Sequence, residues 1–230
     1  MASSPSCIDP DQGHRLWAED YDTGHNPLLA LERRVLQPHL NKLQGKFVVD
    51  VGCGTGRWLA LASAAGASVA GLDLTPEMLT QAAAKPGLPG RLVRANAQSL
   101  PLAGAVADIA LCSFCVSYVR DIPTVFAELA RITRPKGRVI VSDIHPVAIA
   151  SGWKRTFRNA GRLYEMKLDP GDRKDLFRPG LQAGLTLWRV FEPRFGEQER
   201  PQFENAGKAE TFEAVSRTPA LLITLWDRGR

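Results

Sequence analysis

The sequence predicts an α/β fold built on a doubly wound, parallel sheet, and three observations carry that expectation. From residue 47 to 145, short apolar, β-branched runs alternate with runs at helical spacing, the pattern of successive strand–helix–strand units. The first run, Phe47 to Val51, has the composition of a strand covered on both faces. It then breaks at Gly52, Gly54 and Gly56, and apolar residues return at helical spacing with Trp58, Leu59, Leu61 and Ala62. Strand, glycine loop and helix in that order make a ligand-binding turn at the carboxyl edge of such a sheet.

The other elements follow from local signals. Residues 14–43 are predicted helical, with an interruption at Asn26-Pro27 and a stripe of Leu28, Leu31, Val35 and Leu36. Strands are expected at 47–51, 68–73, 91–95, 106–112 and 137–143, with helices near 57–66, 76–84 and 123–134. Pro76 and Pro123 fall in the first turn of their helices, where a missing N–H costs nothing. Pro135-Lys136-Gly137 marks a turn before the fifth strand. Beyond 145 the periodicity fades; a short helix is expected around 172–183, and strands near 185–192 and 219–227. Phe195 to Arg217 reads as a long polar loop with little helical patterning. The 230 residues fit one domain, with N-terminal helices over 1–45, a binding core over 46–145, an insertion over 146–183 and a C-terminal hairpin over 184–230.

The glycine spacing narrows the ligand. It is G-x-G-x-G rather than the dinucleotide fingerprint G-x-G-x-x-G, and Arg57 stands where that fingerprint needs its third glycine. A long side chain there obstructs close helix–strand packing, which disfavours an NAD(P)-dependent oxidoreductase. Val69 to Leu72 forms a second apolar strand ending in Asp73, 21 residues after Gly52, where a carboxylate can accept from two ribose hydroxyls. A nucleoside ligand is expected; a pyrophosphate fits less well.

At this point the chain resembles the class I S-adenosylmethionine-dependent methyltransferases. VVDVGCGTG (Val48 to Gly56) is similar to the family's first motif, and GLDLTPEML (Gly71 to Leu79) to its acidic second-strand motif. RANAQSLPL (Arg94 to Leu102) resembles the adenine-contacting segment, with Asn96 where the family most often has Asp. ADIALCSFCVSYVRD (Ala107 to Asp121) and LARITRPKGRVIVSD (Leu129 to Asp143) resemble the fourth and fifth strands with their neighbours, in family order. The resemblance implies a seven-stranded, mostly parallel sheet whose last strand, within Thr218 to Trp226, runs antiparallel.

It also implies S-adenosyl-L-methionine as cofactor and a set of binding residues. Asp50 and the loop Gly52, Cys53, Gly54 and Gly56 would surround the methionine portion, and Asp73 would take the ribose hydroxyls. Leu74 and Met78 would flank the adenine, Ala95, Asn96 and Ala97 would meet its edge, and Ser113 would sit beside the cofactor. Leu74 and Met78 equally suit a core role, and Ser113 a strand-end cap. Leu16 to Pro27 is similar to the family's lid element, in which Tyr21 would close over the cofactor with help from Trp17; both aromatics equally suit packing of the first helix on the sheet.

His145, in Ser142-Asp143-Ile144-His145-Pro146 after the fifth strand, is the candidate catalytic base, because histidine titrates in the useful range. A loop histidine also serves as scaffold, and methyl transfer often needs no base. The Cys112-Ser113-Phe114-Cys115 sequence lacks the motif of adenine or cytosine N-methylation and is closer to the branch acting on small molecules, including quinone-ring precursors. A small-molecule acceptor is therefore expected, with Trp153, Phe157 and Tyr164 as candidate walls.

Composition sets the remaining bounds. The chain is 44% apolar and 23% charged, ordinary for a soluble globule, and no apolar run approaches the ~20 residues that span a bilayer. The first fifteen residues lack the pattern of a secretory signal, so a cytoplasmic protein with reduced thiols is expected. Cys112 and Cys115 form one C-x-x-C, but Cys7 and Cys53 stand alone, so no metal is expected. The net charge is +5, and Ser151 to Arg178 holds eight basic residues (Lys154, Arg155, Arg158, Arg162, Lys167, Arg173, Lys174, Arg178) against four acidic ones. Such a segment can contact RNA, the alternative acceptor, or an anionic substrate. Its interspersed acids and the lack of an RNA-binding motif favour a solvated face. Nothing in the sequence speaks to oligomeric state.

Overall fold

In the computed structural model, residues 5–23, 25–168 and 176–229 are described. The chain begins with β1 (Ser6–Ile8), α1 (Pro10–Trp17) and α2 (Pro27–Leu36), the last running into a 3-10 turn at Gln37–Leu40. The core follows as β2 (Phe47–Val51), α3 (Arg57–Ala64), β3 (Ser68–Asp73), α4 (Pro76–Ala83), β4 (Leu92–Arg94), β5 (Ala107–Ser113), α5 (Ile122–Ile132) and β6 (Thr133–Ile144). Then come α6 (Pro146–Ala150), β7 (Arg155–Asn159), β8 (Arg162–Met166), α7 (Phe177–Gln182), β9 (Leu185–Phe191), α8 (Arg200–Asn205), α9 (Phe212–Val215) and β10 (Leu221–Arg228).

Seven of these strands form one sheet in the order β4-β3-β2-β5-β6-β10-β9. Strands β2 to β6 pair in parallel, and β10 lies antiparallel to both β6 and β9. The last strand is thus antiparallel, as expected. The period-2 geometry of strands sorts their side chains onto two faces. Val48, Leu111, Ile140 and Leu225 join Leu31 and Leu36 of α2 and Trp58 and Leu59 of α3 on one side. Val49, Val51, Ala110, Val141 and Trp226 join Val125, Phe126 and Leu129 of α5 on the other. From β2 the chain winds outward through β3 to β4, then returns to β5 on the opposite flank. That reversal opens a crevice beyond the carboxyl ends of β2 and β5.

Several expectations need correction. The interruption expected at Asn26-Pro27 is present but wider: α1 stops at Trp17, and α2 starts at Pro27, where Asn26 Oδ1 accepts from Leu28 N at 3.1 Å. The turn at Pro135-Lys136-Gly137 lies inside β6, which begins at Thr133; Lys136 takes a left-handed φ of 63° there, beside an irregularity in pairing with β5. The polar loop of 195–217 contains α8 and α9, whose Phe203 and Phe212 join Phe195 and the stacked Trp153 in an aromatic cluster. Alternation is weak there, and isolated aromatics among charges do not register as a helix. The helix of 172–183 reduces to α7 within the described residues, since 169–175 lie outside them.

A second sheet went unforeseen. Strands β7 and β8 form a hairpin, joined through Ala160 and Gly161 at φ 46° and 78°, and β1 pairs parallel to β8. Both positive φ values suit the turn that matches strand twist. Phe157 points into a cluster with Trp17, Ala18, Tyr21, Met78 and Met166, so this small sheet and α1 sit over the carboxyl edge of the large one. The inward neighbour two residues earlier is Arg155, a charge at an apolar position, which disguised the alternation. No helix among the described residues is long and apolar enough to cross a membrane.

Candidate active site

The glycine loop is drawn onto β3 by two backbone donors: Gly52 N and Cys53 N both bond to Leu72 O, at 2.7 and 3.0 Å. Gly52 has φ +70°, and a Cβ built there would lie 2.6 Å from Cys115 Sγ, so the turn admits no side chain. Gly54 N then donates to Asp73 Oδ2 at 2.8 Å, and Thr75 N donates to Oδ1 at 2.8 Å. These bonds pin the Asp73 carboxylate between the loop and the start of α4 while leaving lone pairs on both oxygens. Burial raises its pKa above the ordinary carboxylate value, opposed by the Thr75 and Gly54 N–H groups.

Two adjoining cavities open beyond these strands. The larger encloses about 750 Å³ including its open mouth. Asp73, Leu74, Met78, Ala95, Asn96 and Ala97 line its wall together with His14, Phe114, Tyr118 and Val119. The smaller, about 260 Å³, is bounded by Asp50, Cys53, Thr55, Arg57 and Trp58. Tyr21, Gly52, Gly54 and Ser113 border both. The candidate binding residues therefore converge, apart from Gly56, which forms the left-handed start of α3 and borders neither cavity. Asn96 Oδ1 accepts from Gln98 N at 2.9 Å, so its amide N–H₂ remains as the free donor toward the wall.

The floor of the smaller cavity is a buried polar network. Glu32 of α2 is fully buried and accepts from Ser113 Oγ at 2.7 Å, Trp58 Nε1 at 3.2 Å, the Arg57 guanidinium and the Ser142 hydroxyl. Arg57 Nη2 also donates to Ser113 Oγ at 2.8 Å. The residue that disfavoured a dinucleotide loop thus has a structural partner, one that nothing near it in the sequence announced. Beside it, Asp50 Oδ1 is buried without a hydrogen-bond partner. Burial lifts the Asp50 carboxyl to about 8, with Arg57 pulling it down and Glu32 and Asp73 pushing it further up. An orphaned carboxyl in a polar chamber fits a cationic ligand group.

The N-terminal segment covers the loop from outside. Asp22 accepts from Thr55 Oγ1 at 2.8 Å and from Lys85 Nζ at 2.6 Å, and Lys85 also bonds to Thr55 O. Tyr21 is held in place by Trp17, whose ring lies 4.8 Å away edge-on.

His145 is placed elsewhere. Its Nδ1 accepts from Val147 N at 3.1 Å, capping α6, and its Nε2 meets Glu192 Oε1 at 2.9 Å. It borders neither cavity. Nor do the candidate walls: Trp153 stacks on Phe195, and Phe157 lies between Trp17 and Tyr164. The larger cavity is instead lined by residues to which the sequence assigned no place in the pocket, chiefly His14, Phe114 and Tyr118, with Arg155 close to the Phe114 ring. His14 stands edge-on to Tyr118 at 4.8 Å, and burial together with the Arg155 charge lowers it to about 4, so it is neutral at physiological pH. The basic segment is tied up residue by residue: Lys154 to Glu165, Lys167 to Asp9, Arg162 to Ser6. Arg173 and Lys174 lie outside the described residues.

Comparison with known proteins agrees with this geometry. A family model described as "Methyltransferase domain" matches residues 49–141. Malonyl-[acyl-carrier protein] O-methyltransferase of Pectobacterium atrosepticum is 33% identical over 142 residues, covering 60% of this chain and 53% of that protein. Demethylmenaquinone methyltransferase of Bacillus licheniformis is 37% identical over 106 residues, covering 44% of this chain and 46% of the other. The chain spans about half the length of these curated relatives. The crystal structure of an S-adenosylmethionine dependent methyltransferase from Mesorhizobium loti superposes with a TM-score of 0.67 at 25% identity, over 88% of this chain and all of that one. Motifs, sheet order, cavity and comparisons agree: this chain belongs to the class I S-adenosylmethionine-dependent methyltransferase family.

Proposed function

We propose that this protein transfers a methyl group from S-adenosyl-L-methionine to a small-molecule acceptor held at the Tyr118 end of the larger cavity. The observation that carries the reading is the pairing of two carboxyl groups across a shared wall. Asp73 faces the larger chamber with both oxygens backed by N–H donors, and Asp50 faces the smaller with one oxygen unpaired. Asp73 suits vicinal ribose hydroxyls, and Asp50 suits an α-ammonium group. Leu74 and Met78 supply apolar contact for the adenine, and the Asn96 amide a donor at its edge.

The bound cofactor supplies an electrophilic methyl group on a sulfonium. What remains for the protein is to hold the acceptor atom in line and exclude water, a contribution of roughly 7–11 kcal/mol in favourable cases. Tyr21, bordering both chambers, fits that closing role. His145 is assigned to capping α6, and no general base is invoked. Relatives named malonyl-[acyl-carrier protein] O-methyltransferase and demethylmenaquinone methyltransferase support an organic acceptor. A cytosolic location is part of the same reading.

Mass spectrometry of the purified protein for co-purified S-adenosyl ligand, with calorimetry against S-adenosylhomocysteine, tests the assignment. Failure to bind that compound while NADH binds would sink it. Tyr21→Phe is expected to weaken binding only about threefold, since the ring is kept, and Tyr21→Ala about 30-fold through lost packing. Wild-type affinity in the alanine variant would remove Tyr21 from the lid.

Asp50 makes the binding pH-dependent. Its folded value of about 8 lies above the ordinary 3.8, so at pH 7 the free protein carries a proton there. A cation seated beside Asp50 favours the carboxylate and expels that proton. Affinity for S-adenosylhomocysteine should therefore rise between pH 6 and 8, by up to about tenfold per unit for one proton. Calorimetry in buffers of differing ionisation enthalpy reads the release directly; a pH-independent affinity without proton release in the wild type would contradict it. The same shift makes folding stability fall as pH rises from about 4 to about 8 and level off above, because only the folded state holds the proton in that window.

A further inference from the structure

Among the described residues, Arg155 is a buried charge that the site described above does not account for. It is 3% exposed, on the inner face of β7, and its Nε–H has no hydrogen-bond partner. Its guanidinium lies 4.9 Å from the Phe114 ring and 5.1 Å from that of Trp17, and Nη2 donates to the Tyr21 hydroxyl at 3.4 Å. The Tyr118 hydroxyl is a second polar neighbour, one that stabilises the arginine's charge. Tyr21, Phe114 and Tyr118 all border the larger cavity, so the arginine stands one side chain behind its wall.

The direction of these bonds matters. A guanidinium can only donate, so the Tyr21 oxygen accepts from it, and any bond to Tyr118 runs the same way. Each hydroxyl proton is then left to point elsewhere, and the cavity lies in front. Burial pushes the Tyr118 hydroxyl up, so it stays a donor throughout the physiological range. The charges near this end are few. Asp143 contributes a negative field from behind, with its oxygens bonded to Ser117 N and Oγ and Ile144 N at 2.8, 2.5 and 2.7 Å. Asp11 is exposed at the mouth, and neutral His14 flanks Tyr118. Two phenols on the cavity wall, with a buried guanidinium and its unused N–H behind them, make a receptor for an anionic oxygen.

We infer that the acceptor is a carboxylate, held by the Tyr21 and Tyr118 hydroxyls in front of Arg155, and that a carboxylate oxygen receives the methyl group. The inference rests on the methyl-transfer reading above. Tyr21 also borders the chamber assigned to the methionine portion, so an anion at its hydroxyl lies at the boundary of the two chambers. The reaction balances without a base. A lone pair on the carboxylate oxygen forms the new O–C bond, the S–C bond breaks, and sulfur keeps the pair. A carboxylate and a sulfonium become a neutral methyl ester and a thioether, and no proton moves. A carboxylic acid is already ionised at neutral pH, which matches a site where the one histidine meeting the cavity is neutral and the expected base, His145, lies elsewhere.

The test pairs acids with their amides. The full-length protein is incubated with methyl-labelled S-adenosylmethionine and a panel of matched compounds (hexanoate and hexanamide, phenylacetate and phenylacetamide, monomethyl succinate and its amide), with catechol and tyramine as other nucleophiles. Label released as methanol by mild alkali reports ester. Calorimetry of the same compounds against the protein loaded with S-adenosylhomocysteine reports binding. Acids should bind and give alkali-labile label, and their amides should do neither. Arg155→Gln should lower kcat/KM for the best acid about 100-fold, mostly through KM, with S-adenosylhomocysteine affinity within about threefold of wild type. Tyr118→Phe should cost about tenfold, and Arg155→Lys should fall between. Should Arg155→Gln fail to fold, Tyr118→Phe and the acid–amide contrast in the wild type decide the matter.

Equal binding of acid and amide, no binding of any acid by protein that binds S-adenosylhomocysteine, or transfer confined to catechol or tyramine would each overturn the inference and leave the methyltransferase reading standing. Loss of S-adenosylhomocysteine binding by the wild type would remove that reading itself.

Discussion

Asp73→Ala is expected to weaken S-adenosylhomocysteine binding at least about 100-fold in calorimetry, from two lost hydrogen bonds to a charged group at about 1.5–3 kcal/mol each. The same change frees the N–H groups of Gly54 and Thr75, which now have the Asp73 oxygens 2.8 Å away. The loop and the start of α4 then lose their common anchor, so an effect on loop order adds to the lost ribose contact. Asp73→Asn separates the two parts. It keeps one acceptor for the backbone and replaces the other by a donor, so an intermediate loss of about tenfold is expected. Affinity of the alanine variant within threefold of wild type would mean that the ribose is gripped elsewhere.

Glu32→Ala should produce the largest loss of stability. Glu32 is fully buried and holds Arg57, Trp58, Ser113 and Ser142 together beneath the smaller cavity. Removing one partner of a buried ion pair costs about 3–5 kcal/mol, because the other charge is left without compensation. In a chain of this length that is a fall in Tm of about 6–20 °C. Replacing Glu32 and Arg57 together by Leu and Met should recover part of the loss, since the stranded charge disappears as well. A single-variant drop below about 2 °C would show that water or backbone relaxation satisfies the arginine.

Much of the scaffold was legible in the chain because its signals are local. Buried parallel strands need β-branched runs, Gly52 needs a residue without Cβ against Cys115, and helix starts take Pro76 and Pro123 without cost. The wall between 14 and 43 and the hairpin at 155–166 were harder. Helical periodicity continued past the true end of α1, and Arg155 occupied an inward position that patterning treats as surface. His145 shows the opposite failure. Its place after β6 is where a catalytic group belongs, yet its ring nitrogens serve Val147 N and Glu192.

Residue order alone determined the parallel sheet, the glycine turn with its carboxylates at Asp50 and Asp73, and hence the family, since each depends on spacing within one strand–loop–helix unit. Only the tertiary structure decided which side chains gather at the larger cavity. Arg155, Tyr21, Tyr118 and His14 come from three segments far apart in the chain, brought together when the small sheet and α1 dock over the carboxyl edge. Contacts of that kind are set by packing between elements, and packing leaves no periodic trace in the sequence of any one of them.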